Sequence, residues 1–549
     1  MTARALVLGL DGADPDVVLA LGAARLPTLH ALMAKGAWAR LVSVQPPATL
    51  PNWTTFLTGV DPGRHGVFDF TTRQGYGVRF TAGTVREVPT LFARLDRLGL
   101  RCACLGFPAT WPPERLEHGV FVSGWDAPVA FEADRSFVWP PALHDELVAR
   151  FGTLGFDVGE FDADTPGWHE GLAATLEARI ETKIALGEHL LGRGAWDVFA
   201  LYFGESDTAS HHLWAHHDPR SPRHPGPTAA SDGLSRVYEA LDRAVAKLLV
   251  AAGPEAELTI VSDHGSGGSS DVALHLNRAL AEANLLRFAP SRDHALFRRA
   301  KDFALTRLPP RLKEKLFRLG GAVLPSWLES RTRFGAIDFS RTLAFSDELN
   351  YFPGVWLNQV GREPKGFVRA ADRDAVRRDV AQALKPLRDP WTGQPVVLEA
   401  WPREELYEGP FVDRAPDLVL RLALRDGYSW NLLPSNGPGP VFTQLPPEEH
   451  LGRKGRSLPG SHRERGFFVA AGPRVAATGE VDAHIADASA TMLARLDVAP
   501  PPDAAGRVLF EILDELGTSA ASLPDAELVR GAGDEAEVEA RLRALGYVD

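Results

Sequence analysis

The sequence predicts an α/β fold: a mostly parallel sheet with helices on both faces, carrying an inserted cap region. Three apolar runs lead to that reading. Ala5–Leu10 (ALVLGL), Asp197–Phe203 (DVFALYF) and Leu258–Ser262 (LTIVS) are short and do not alternate, as befits strands buried on both faces. Helical patterns lie between them. Each run stops at polar residues, and in such sheets ligands collect at the carboxyl ends of the strands.

Taken in order, the first run closes on Asp11-Gly12, which makes Asp11 a candidate ligand. A helical region follows to about Met33. The stretch Gln45–Phe70 (QPPATLPNWTTFLTGVDPGRHGVFDF) holds Pro46, Pro47 and Pro51, which favour a fixed loop. Trp53–Thr58 reads as a short helix with Asn52 as its cap, ended by Gly59, Pro62 and Gly63. Thr49 would then lie just before a helix N-terminus, where amide groups and the dipole favour an anion, a suitable place for a nucleophile attacking phosphorus. Thr90–Leu98 reads as a helix and Arg101–Phe107 as a strand. Trp111 and Trp125 stand in loop sequence near the same rim and are expected in the core.

A helix over Gly171–Leu191 leads into the second apolar run, and GESDTASHHLWAHHD follows. Asp207 and His211 are four apart, so one helical turn puts both on one face, as metal pairs require. His212, His216, His217 and His224 are expected in a solvated polar loop. Val237–Ala251 is an amphipathic helix. The third run ends in Asp263-His264, opening into the Gly/Ser stretch GSGGSS, read as a loop. Asp offers hard oxygen and His borderline nitrogen, a mixture that Zn²⁺ accepts. Residues 291–335 form a basic amphipathic segment, with Arg298, Arg299 and Lys301 among its cations. It could cover the site mouth or touch an anionic membrane surface. Residues 336–450 read as a smaller α/β unit with a strand at Val355–Val360, a helix at Arg373–Leu387 and strands near Val396 and Leu418. His462 stands in a Gly-bounded loop before the strand Phe467–Ala471. A helix over Asp487–Leu496 and a charged helix over Glu535–Leu545 finish the chain. The expected division is a core of 1–290 and 451–515, an inserted cap of 291–450 and a tail of 516–549.

The whole chain narrows the function. Its formal net charge of −12 argues against nucleic acid as the main partner. An apolar fraction of 45% over 549 residues allows a large core. The two cysteines, Cys102 and Cys104, sit two apart on one strand face, with Cα atoms about 6.6 Å apart, so no mutual bridge is expected. The N-terminal apolar run is too short for a signal segment, and no stretch reaches the ~18 apolar residues of a spanning helix. A cytoplasmic protein is the expectation. Oligomeric state is left open.

Collected, Asp11, Thr49, Asp207, His211, Asp263, His264 and His462 supply two metal sites and one hydroxyl. Two metals ~3.5–4 Å apart can hold the attacking and leaving oxygens of an in-line displacement. With LGLDGAD, TLPNWTTFLTG followed by PGRHGVFD, the D-x-x-x-H of Asp207 and His211, SDHG, and the G-x-H of His462 in that order, the sequence resembles the alkaline phosphatase superfamily. Within it, the chain is most similar to the type I phosphodiesterase/nucleotide pyrophosphatase branch and its related bacterial phosphohydrolases and phosphomutases. The resemblance covers residues 1–290 and 450–515. It implies an alkaline-phosphatase-like fold and a metal-dependent phosphoric ester hydrolase acting on a small-molecule phosphate ester. It implies two divalent metals, zinc with manganese as the alternative. Asp207, His211 and His462 would hold one, and Asp11, Asp263, His264 and the Thr49 oxygen the other. Thr49 would form a covalent phosphothreonine. A phosphomutase and a metal-stabilised binding protein without turnover are the rivals. The sulfatase pattern CxPxR is absent at Cys102 and Cys104. One departure stands at Phe70, where the branch carries an Asn that touches the phosphoryl oxygen. Asn52, Arg64, Arg463 and Arg465 are the candidates to replace it, and a guanidinium there would tilt the enzyme toward monoesters.

Overall fold

The computed structural model describes residues 2–125, 133–156, 163, 165–289, 333–452, 457–514 and 520–524. The basic stretch 291–332 and the expected C-terminal helix Glu535–Leu545 lie outside the described residues.

A nine-stranded sheet forms the centre. Its middle is parallel: Glu257–Val261, Ala3–Leu10, Trp196–Phe203, Cys102–Leu105 and Val120–Val122, in that spatial order. Antiparallel neighbours flank it, with Arg465–Ala471 between Glu257–Val261 and Ala37–Val42 on one side, where Gly479–Glu480 adds a parallel edge to Ala37–Val42, and Val138–Trp139 on the other. The three apolar runs of the sequence are thus adjacent, and register sets Leu8 against both Leu201 and Ile260. They are buried because helices pack in two groups. Gly233–Ala252 packs on Trp168–Leu191, Glu205–His217 and Pro27–Lys35, whereas Ile485–Arg495 packs on Thr49–Thr58. Trp111 and Trp125 are buried, as are both cysteines, which are free thiols.

A second core belongs to the inserted unit. Ala344–Phe345, Gly354–Leu357, Leu418–Leu422 and Val397–Pro402 form a four-stranded antiparallel sheet, covered by the helix Arg373–Leu384. This unit touches the segments on either side of the helix Thr49–Thr58: Tyr407 donates to the Gln45 carbonyl at 2.7 Å, and its ring meets Phe68 edge-on. No single helix among the described residues is long and apolar enough to cross a membrane.

Three local expectations are corrected. The helix begins at Thr49, not Trp53, and runs to Thr58 with Ala48 as its extended N-cap and left-handed Gly59 as its C-cap. Pro51 does not prevent this, since a first-turn residue has no intrahelical use for its N–H. GSGGSS is not a loop. Gly265–Leu274 is a strand, fixed by pairing with Gly460–Arg463 and with Phe442–Gln444. His212 and His216 are not solvated. The helix continues to His217, and these two rings are buried near His169.

Candidate active site

Asp11 follows the first strand, the helix Glu205–His217 carries Asp207 and His211, and Asp263 and His264 follow the strand Glu257–Val261. The parallel pairing of these strands brings their carboxyl ends side by side. His462 arrives from elsewhere. It lies on the short strand Gly460–Arg463, paired opposite Ser266, rather than in a loop. That register stacks its ring on His264 at 3.6 Å between centroids.

Two glycines permit the approach. Gly12 has a φ of +62°, and a Cβ there would lie 2.9 Å from Asp207 Oδ1. A Cβ at Gly460 would lie 2.0 Å from the Ser210 carbonyl oxygen and 2.8 Å from His211 Cα.

The polar atoms converge in two groups. His211 Nε2 is 3.2 Å from Asp207 Oδ1 and 3.2 Å from His462 Nε2, and His462 Nε2 is 3.7 Å from Asp207 Oδ1. His264 Nε2 lies 3.5 Å from Asp11 Oδ1, 3.3 Å from Asp263 Oδ2 and 3.3 Å from Thr49 Oγ1. Ligand atoms of Asp11, Asp263 and His264 fall within 4.8 Å of one another, as do those of Asp207, His264 and His462. Thr49 stands at the first turn of its helix, 6% exposed.

The surroundings of these groups suit a cation. Each imidazole has Nδ1 within bonding distance of a backbone carbonyl: His211 to Gly460 at 3.1 Å, His264 to Gly265 at 2.9 Å and His462 to Pro47 at 2.8 Å. An Nδ1–H donating there leaves the Nε2 lone pair turned to the carboxylates, the arrangement that fixes a metal-binding tautomer. Two Nε2 lone pairs 3.2 Å apart repel unless a cation lies between them. Asp207 Oδ1 and Asp263 Oδ2 are buried with no hydrogen-bond partner among the described residues. Burial, followed by the charge of Asp11, pushes the Asp263 carboxyl well above its ordinary range. Burial pulls His264 down to about 4 and His462 well below its ordinary value. Buried carboxylates beside neutral imidazoles fit divalent metal, with the mixed oxygen and nitrogen donors that zinc accepts.

Three aromatic residues that the sequence does not assign to the site belong to it. Trp53 Nε1 and the Tyr202 hydroxyl both donate to Asp11 Oδ2, at 2.7 and 2.6 Å. They hold one oxygen and leave the other turned to His264. Tyr351, from the inserted unit, stacks on His462 at 3.7 Å and 8° and brings its hydroxyl 3.2 Å from His211 Nδ1. No motif flags Tyr351. For Trp53 and Tyr202 the signal is their place on the helix that Thr49 opens and on a strand beside Asp11.

The expected replacements for the missing amide are mostly engaged elsewhere, which corrects that part of the reading. Asn52 is fully buried; it accepts from the Val44 amide and donates to the Ala48 carbonyl, pinning the loop before Thr49. Arg64 faces Asp503 at 3.8 Å. Arg463 gives its guanidinium to Ser429 Oγ and to the carbonyls of Gly268, Gly427 and His462, and burial pulls it down to about 10. Arg465 is exposed and lines a cavity that opens at His462. Phe70 is 39% exposed beside the hairpin that starts at Thr71.

The family model described as type I phosphodiesterase / nucleotide pyrophosphatase matches residues 5–431, so it runs into the inserted unit and ends before His462. No curated protein matches the chain. Among solved structures, phosphonoacetate hydrolase from Sinorhizobium meliloti 1021 in complex with phosphonoformate aligns with a TM-score of 0.51 at 17% identity, over 89% of this chain and 94% of that one. Its complex with phosphonoacetate gives 0.50 at 17% identity over the same shares. Murine ectonucleotide pyrophosphatase/phosphodiesterase 5 in complex with AMP gives 0.48 at 14% identity, over 93% of this chain and 100% of that one. The first two likenesses show a shared fold.

Proposed function

The chain belongs to the type I phosphodiesterase/nucleotide pyrophosphatase family of the alkaline phosphatase superfamily, a metal-dependent phosphoric ester hydrolase, and on that premise we propose that Thr49 is its nucleophile. Two divalent metals would be held by Asp207, His211 and His462, and by Asp11, Asp263, His264 and Thr49. Zinc suits these donors best. Bound there, the metals would supply Lewis-acid polarisation of the phosphoryl oxygens and a lowered pKa for the nucleophile.

The protein's own groups account for the rest. Thr49 opens the helix Thr49–Thr58, and the positive end of the helix dipole there favours phosphoryl oxygens. Thr49 Oγ1 attacks phosphorus, the P–O bond to the leaving alcohol breaks, and a phosphothreonine ester remains. Water then cleaves that ester and regenerates the hydroxyl. The observation carrying this reading is the convergence of three imidazoles, each with Nδ1 facing a backbone carbonyl, on buried carboxylates, with His264 Nε2 also 3.3 Å from Thr49 Oγ1.

The test is Thr49→Ala assayed with aryl phosphate esters and with metal content measured. Turnover should fall by at least ~10³-fold, with metal bound at both sites at excess metal. Full turnover in the variant would refute the nucleophile. Release of free phosphate from a monoester separates hydrolysis from phosphoryl return to the substrate.

A further inference from the structure

The loop 346–352 of the inserted unit is held along most of its length. The Ser346 backbone exchanges two hydrogen bonds with the buried Asn277 side chain, at 2.7 and 2.9 Å. Asp347 Oδ2 accepts from Trp356 Nε1 at 3.0 Å, and Asn350 Oδ1 from the Leu432 amide at 2.6 Å. Glu348 is buried; its Oε1 accepts from the Asn277 amide at 2.9 Å and the Ser435 hydroxyl at 2.6 Å, and its Oε2 accepts from the Ser435 amide. Phe352 is buried in one cluster with Phe68 and Tyr407. The φ of Glu348 is +53°, which side-chain-bearing residues rarely adopt and which persists where the surroundings impose it. A loop fixed in this way can aim one side chain, and between the anchors at Asn350 and Phe352 stands Tyr351.

Tyr351 meets two of the three side chains that gather around Asp207. The His462 imidazole lies between two nearly parallel rings, Tyr351 at 3.7 Å and 8° on one face and His264 at 3.6 Å and 19° on the other. The Pro47 carbonyl, 2.8 Å from Nδ1, fixes one edge of the imidazole, and a ring held at one edge can still tilt about that bond. The two stacked faces oppose the tilt and so aim Nε2. The Tyr351 oxygen also lies 3.2 Å from His211 Nδ1, where it accepts a share of the N–H that faces the Gly460 carbonyl. Loop and imidazole are tied to the same strand. Asn277 lies in the helix Leu276–Glu282, directly after the strand Gly265–Leu274, and the start of that strand pairs with Gly460–Arg463, which carries His462.

We propose that Tyr351 is a positioning residue for one metal, the one assigned to Asp207, His211 and His462, and that it acts through its stack on His462. The inserted unit is then part of the metal centre. Its loop, locked by Glu348 and Phe352, sets the plane of a ligand that the catalytic core fixes only at one edge. This rests on the two-metal reading above and adds no chemical step to it.

The experiment is competition for Zn²⁺ against a chromophoric chelator, with the full-length protein as wild type, Tyr351→Phe, Tyr351→Leu and Glu348→Gln. The affinity that disappears in His211→Ala identifies the site concerned, and thermal unfolding of the metal-free proteins shows which variants are folded. Tyr351→Leu removes the stack and should weaken that affinity at least ~10-fold while the other stays within about twofold. Tyr351→Phe keeps the stack and should stay within about threefold of wild type, a rescue that mere filling of the interface by leucine would not require. Glu348→Gln sets an amide N–H against one of the donors from Asn277 and Ser435, which should unseat the loop and weaken the same affinity. An unchanged affinity in both Tyr351→Leu and Glu348→Gln would overturn the inference, as would equal losses at both sites, or a loss in Tyr351→Phe as large as in Tyr351→Leu. Wild type that binds no zinc lost in His211→Ala would overturn the two-metal reading and this inference with it.

Discussion

Replacing Tyr202 by Phe removes one of two hydrogen bonds that orient Asp11. The hydroxyl donates to Asp11 Oδ2 at 2.6 Å, and Trp53 Nε1 donates to the same oxygen at 2.7 Å. The other carboxylate oxygen lies 3.5 Å from His264 Nε2. A hydrogen bond to a buried charge is worth about 1.5–3 kcal/mol. Trp53 still holds the carboxylate in the variant, so the lower end applies, about 1.4–2 kcal/mol, or roughly 10–30-fold in affinity. The ring loses only its oxygen, and its contacts with Trp53 and Phe107 survive. The assay is competition against a chromophoric chelator, which resolves two metal affinities. Only the affinity tied to Asp11, Asp263 and His264 should fall, and kcat/KM should recover to within about threefold at saturating metal. If neither affinity moved by more than about twofold, the hydrogen bond would not position Asp11. Equal loss at both sites would contradict the division of ligands between two metals.

Gly12→Ala should cost at least ~100-fold in kcat/KM, because its Cβ would lie 2.9 Å from Asp207 Oδ1 at a left-handed φ; steady-state kinetics at saturating metal checks it, and near-wild-type turnover would contradict the packing argument. Asn52→Ala should lower unfolding free energy by about 1–3 kcal/mol by orphaning the Val44 amide, read as a fall in Tm; a loss of kcat/KM with Tm unchanged would instead make Asn52 a substrate group. Acid should destabilise the histidine cluster on the far side of the helix Glu205–His217. Burial pulls His169 from 6.5 to about 4 and lowers His216, so the unfolded chain takes up protons first, and their contribution is whole above pH 6.5 and lost as pH falls toward 4. Between pH 7 and 5, wild type should lose about 1–2 kcal/mol more than His169→Gln, and equal losses would contradict the assignment.

The parallel middle of the sheet was legible because its signals are local. Ala5–Leu10, Asp197–Phe203 and Leu258–Ser262 are apolar runs with acids at their ends, and the fold places those ends together. What could not be read depends on distant partners. The strand identity of Gly265–Leu274 comes from pairing with residues near 442 and 460, and no alternation announces it in GSGGSS. His212 and His216 looked like surface residues because what buries them, the helix Trp168–Leu191, lies earlier in the chain. The start of the helix Thr49–Thr58 is hidden by Pro51, which reads as a breaker although a first-turn proline forfeits no intrahelical bond. Arg463 and Asn52 carried the right chemistry for a phosphate but point to backbone carbonyls, and side-chain direction is not written in spacing. Tyr351 reaches the site only because the inserted unit folds back on it.

The most direct measurement is mass spectrometry of the protein quenched within milliseconds of mixing with a 4-nitrophenyl phosphodiester. The account predicts that the peptide containing Thr49 gains the phosphoryl group with the substrate's second ester still attached, appearing with the burst of nitrophenol and disappearing once substrate is exhausted, and absent from Thr49→Ala. A burst with that peptide unmodified and the phosphoryl group on another residue, or full turnover in Thr49→Ala, would contradict Thr49 as the nucleophile.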